Sequence, residues 1–146
     1  MWDGLARVGD SVVLIEAKGH IPEIVSPRTR ASEPARGKIR RSMEEAQQAL
    51  SPKSLGWVDW TGTFYQYANR VAHLHFLREH NRIPAHLVNV YFLNATDVGG
   101  PTAVDEWKGA ITVVKSYLGL GRTRMSKYTH DVFVDVRELA LAAAGV

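Results

Sequence analysis

The sequence contains no cysteine, which excludes a disulfide framework and a thiolate zinc site. It has no run of about eighteen apolar residues that could cross a bilayer. Met1-Trp2-Asp3 opens the chain without a basic and then apolar leader. A cytoplasmic protein with no membrane partner is the expectation. Low-complexity tracts and internal repeats are also missing. Charge of one sign is scarce too: a formal net charge of +3 is too small to mark a nucleic-acid binder by itself. What is present, 45% hydrophobic and 23% charged residues over a length of 146, is ordinary for a folded chain and predicts one domain spanning residues 1–146.

The most informative stretch is Trp2 to Lys18. Two extended runs flank Gly9-Asp10, and glycine in the first central position suits a two-residue type II′ turn. If Val8 faces Ser11, paired residue numbers have a constant sum, and Asp3 stands across from Glu16. Strand alternation then puts Lys18 on the face of Glu16, whereas Val13, Ile15 and Ala17 point to the other face, expected to be the buried one. Two carboxylates opposed in a sheet repel and call for a cation. Mg²⁺ or Mn²⁺, which takes a few carboxylate oxygens and leaves positions for water and phosphate, fits better than zinc.

Asp3, followed by Glu16-Ala17-Lys18 at the end of the next strand, resembles the PD-(D/E)XK nuclease superfamily and its restriction-endonuclease-like fold. The resemblance implies that Asp3, Glu16 and the Ala17 carbonyl bind the metal and that Lys18 orients the attacking water. It also assigns a positioning role to Gln66, on the helix after the catalytic strand; the tyrosine some branches carry four residues later is Arg70 here. The superfamily core would place a helix and a strand before the Asp-bearing strand. With Trp2 at the head of that strand, its outer edge is expected to be covered either by a later strand around His130 to Val136 or by a second copy pairing edge to edge, with the homodimer preferred.

Between Arg28 and Arg41 the cations Arg28, Arg30, Arg36, Lys38, Arg40 and Arg41 oppose only Glu33. They read either as a phosphate-binding loop and helix start or as a solvated helix face, with Glu44 and Glu45 near enough to pair with Arg40 and Arg41. His20 shares the Glu16 face if the strand runs that far, where it would meet a phosphate; solvation is the ordinary fate of such a histidine. Trp57 and Trp60 are expected to pack. A helix over Phe64 to His80 carries Gln66, Asn69, Arg70, His73 and His80 on one polar stripe, with Arg70 read as a phosphate clamp from its own charge.

The apolar run from His86 to Leu93 predicts an interior strand joined by a parallel crossover. Thr102 with Asp105 reads as a capping box opening a helix to Leu118, followed by a basic loop at Arg122, Arg124 and Lys127, a strand over His130 to Val136 and a short helix. The fold class is therefore α/β: a mixed sheet of an antiparallel hairpin and crossover-connected strands, flanked by helices. The expected function is metal-dependent hydrolysis of nucleic-acid phosphodiesters, DNA in preference to RNA. The alternative is a DNA-binding or assembly module that keeps the fold without turnover.

Overall fold

The computed structural model describes residues 2–26, 33–51 and 58–143. Arg28, Arg30, the cap Ser32 and Trp57 lie outside them. In chain order the elements are β1 (Gly4–Val8), β2 (Ser11–Lys18), α1 (Glu33–Leu50), α2 (Tyr65–His75), β3 (Ala85–Leu93), α3 (Val104–Tyr117), β4 (Thr129–Asp135) and α4 (Val136–Ala143). One four-stranded mixed sheet forms in the order β1-β2-β3-β4. The β1–β2 pair is antiparallel, and β3 and β4 run parallel to β2.

The hairpin closes as its turn chemistry requires. Val8 pairs with Ser11 and Gly4 with Ile15. Gly9 takes a φ of +57°, a conformation Asp10 does not share, which fits a turn needing positive φ only at its first central residue. β3 lies between β2 and β4, as a strand apolar on both faces should.

The faces of the sheet are the reverse of the expectation. Leu14 and Glu16 of β2 and Ala85, Leu87, Asn89 and Tyr91 of β3 are buried, whereas Val13, Ile15, Ala17, Val88, Val90 and Phe92 are only partly so. The helices explain it: α2 hydrogen-bonds Glu16, and α3 packs Trp107 on Tyr91 with ring centroids 4.8 Å apart, both on the Glu16 face. The apolar character of Val13, Ile15 and Ala17 does not decide which face a helix covers.

Both described tryptophans at the centre of the core satisfy their indole N–H groups. Trp60 Nε1 donates to the Leu118 carbonyl at 3.2 Å, and Trp107 Nε1 to that of Phe92 at 2.8 Å. α3 starts one residue later than its proposed cap: Glu106, rather than Asp105, receives the backbone N–H groups of Thr102 and Ala103 at 3.1 and 3.0 Å. α2 passes into a π-helical turn over Phe76–His80, which carries more residues per turn and breaks the 100° count. His80 consequently leaves the polar stripe and meets Glu45 at 3.2 Å. β4, the strand proposed as a cover for β1, is instead the opposite edge of the sheet.

Candidate active site

The site lies at the end of β2, where alternation puts Glu16 and Lys18 on one face and the parallel register sets them beside Asn89 and Tyr91 of β3. α2 crosses this face. Its start is tied down by Ser26, whose Oγ accepts the Gln66 N–H at 2.8 Å. Gln66 and Arg70, four residues apart, then project from one helix side. Gln66 Nε2 donates to Glu16 Oε1 at 2.7 Å, Lys18 Nζ meets the same oxygen at 2.6 Å, and Arg70 Nε donates to Oε2 at 2.7 Å. Glu16 is 4% and Arg70 8% exposed. Burying this carboxylate is tolerated because both of its oxygens are engaged by charged or amide donors.

Asp3 is held differently. Its Oδ2 accepts the backbone N–H of Ala17 at 2.8 Å from an exposed position across the hairpin. Next to it, the Trp2 ring lies on the Arg70 guanidinium, 4.1 Å from ring centroid to Cζ, and meets the His73 ring at 5.5 Å. Burial and the Arg70 charge together push His73 below the ordinary histidine range.

Glu16, Lys18, Gln66 and Arg70 line a narrow cleft together with Ile24, Tyr67, Asn89 and Tyr91. Burial pushes both phenols upward, reinforced at Tyr67 by Asp131 and at Tyr91 by Tyr67, Asp131 and Glu16. Both therefore stay protonated and serve as neutral walls and donors. Beyond Asn89 the polar row continues: Asn89 Nδ2 donates to Asp131 Oδ1 at 3.0 Å, and Lys115 Nζ meets Asp131 Oδ2 at 2.8 Å.

Of the residues singled out from sequence, Glu16, Lys18, Gln66 and Arg70 come together, with Asp3 and Ala17 joined beside them. His20 does not join them, because β2 ends at Lys18; it starts a 3₁₀ turn and meets Glu23 at 3.4 Å. Arg36 and Lys38 are exposed on α1, away from the cleft lining. Arg70 is buried against Glu16 and is not part of an open basic surface. Sequence reasoning missed Trp2, Tyr67, Tyr91, Asn89, Asp131 and Lys115. Asn89 carried a signal, as a polar residue on an otherwise apolar strand.

A hard divalent cation would need oxygen donors, and those at hand are the carboxylate of Glu16 on β2 and that of Asp3, which sits just before β1. A carboxylate offers about four lone-pair positions, so the three bonds at Glu16 and the one at Asp3 leave coordinating capacity. Among the described residues no three histidine, aspartate or glutamate side chains group into a metal-holding set. No protein-family model, curated protein or solved structure matches this chain. None of the described helices is long and apolar enough to cross a membrane.

Proposed function

We propose that this chain is a metal-dependent nuclease of the PD-(D/E)XK type, hydrolysing phosphodiester bonds of DNA in preference to RNA. The observation that carries the reading is the convergence of Gln66 and Lys18 on one oxygen of a buried glutamate, with Asp3 set against the next residue of the same strand. Bound between Asp3 and Glu16, a Mg²⁺ or Mn²⁺ ion would stabilise charge on the phosphodiester and make a water more acidic.

The side chains divide the remaining work. Asp3 and Glu16 hold the cation. Lys18, within reach of Glu16 yet at the cleft wall, donates to the attacking water and to the charge that builds as the new phosphorus–oxygen bond forms and an ester bond breaks. Gln66 fixes the Glu16 oxygen in place, and the neutral Tyr67 and Tyr91 walls keep the surroundings poorly hydrated. Arg36 and Lys38, exposed on α1, contribute contacts to the phosphate backbone that read no sequence. A second copy pairing on the β1 edge would complete the working form.

One observation favours a second reading. Glu16 is already neutralised by Lys18 and Arg70, an arrangement equally suited to a DNA-binding module without turnover. Duplex binding measured by fluorescence anisotropy with Mg²⁺ and with EDTA separates the two. The nuclease reading expects an affinity that changes with the metal in the parent protein and not in Glu16→Gln. Binding indifferent to both would support the module and overturn the enzyme.

A further inference from the structure

Arg70 is the one charged group of the cleft for which a catalytic carboxylate site has no evident need. It is buried, its Nε lies 2.7 Å from Glu16 Oε2, and Trp2 stacks on its guanidinium at 4.1 Å. With Lys18 on the other oxygen, the formal charges of Asp3, Glu16, Lys18 and Arg70 cancel. A divalent cation approaching Glu16 would thus meet a guanidinium already in place, and like charges a few ångströms apart in a poorly hydrated cleft repel strongly. A phosphodiester reverses the balance. It brings negative charge to offset the incoming cation, and its two unesterified oxygens match the planar donor fork of arginine.

We propose that Arg70 is an exchangeable counter-ion. In the unliganded protein it occupies Glu16; when a phosphodiester enters the cleft it transfers to the phosphate, sliding under the Trp2 ring, and leaves Glu16 Oε2 to the metal. Divalent cation and phosphodiester then bind cooperatively, each weakly alone, which restrains the site until substrate is present. By linkage the coupling is reciprocal. The inference rests on the nuclease reading and adds to it the order of assembly.

The test is Mn²⁺ binding followed by electron paramagnetic resonance of the free ion, with dimethyl phosphate as a phosphodiester that the protein need not cleave. Parent protein is expected to bind Mn²⁺ weakly alone and tenfold or more tightly with dimethyl phosphate. Arg70→Gln should bind Mn²⁺ at least tenfold more tightly than the parent without dimethyl phosphate and gain nothing from adding it. Arg70→Lys, which keeps the charge, should stay as weak as the parent alone. Thermal melts check that each variant folds; should Arg70→Gln fail to, the parent and Arg70→Lys arms decide. Glu16-dependent Mn²⁺ binding that is equal in the parent and Arg70→Gln, or untouched by dimethyl phosphate, overturns the exchange and leaves the nuclease reading standing. If no protein binds Mn²⁺ in a manner abolished by Glu16→Gln, with or without dimethyl phosphate, the nuclease reading fails and the exchange with it.

Discussion

Lys18 and Arg70 both pair with Glu16, yet their roles separate at the level of the residue. In the nuclease reading Lys18 acts on the nucleophile, so Lys18→Ala should lower the cleavage rate by about 10²–10⁴ while Mn²⁺ affinity changes far less. Equal loss of both would make Lys18 a structural ion pair. Histidines supply a second prediction. His73, His75 and His86 are all shifted below the ordinary value, in each case chiefly by burial, with Arg70 adding at His73, His80 and Arg124 at His75, and His130 and Arg78 at His86. The unfolded chain takes up these protons near the reference value of 6.5 and the folded one only at lower pH. Stability is therefore complete above that value and is lost as pH falls through it toward the folded values. The melting temperature should drop between about pH 7.5 and 5.5, and His86→Asn should flatten part of the slope. A melting temperature constant across that window would contradict the assignment.

At the level of elements, the hairpin was legible because glycine chemistry and a two-residue turn fix register locally. The polar stripe of α2 was legible as far as Arg70 for a similar reason, since one turn of helix sets Gln66 and Arg70 side by side. What the sequence could not supply was nonlocal. Asn89 and Asp131 reach the site only through the β2–β3 and β3–β4 registers, and the buried face of β2 is chosen by where α2 and α3 land. The face assignment is open to test in neighbouring strands. Leu87→Ala, on the covered face and fully buried, should cost about 2–5 kcal/mol in urea denaturation. Val132→Ala, on the other face and 42% exposed, should cost less than about 1 kcal/mol. Comparable losses would mean that the second face is also covered in solution.

The whole molecule presents β1 as an edge on which Leu5 and Val8 are 66% and 68% exposed. Such an edge invites pairing with another chain. In a hairpin closed by the Val8–Ser11 pair, hydrogen-bonded residues alternate from that pair outward, so Leu5 directs its N–H away from β2. Proline at Leu5 should then dissociate an edge-to-edge dimer without breaking the internal ladder. Sedimentation at micromolar concentration is expected to show a dimer for the parent and a monomer for Leu5→Pro; a monomeric parent would contradict the pairing.

The central claim is that Glu16 belongs to a hydrolytic centre, and single-turnover cleavage of a labelled DNA duplex under excess protein tests it most directly. The account predicts Mg²⁺-dependent cleavage by the parent, at least about 10³-fold slower in Glu16→Ala, with duplex binding by anisotropy retained in both. No cleavage by a parent protein that folds and binds the duplex, or a rate indifferent to Glu16→Ala, would contradict it.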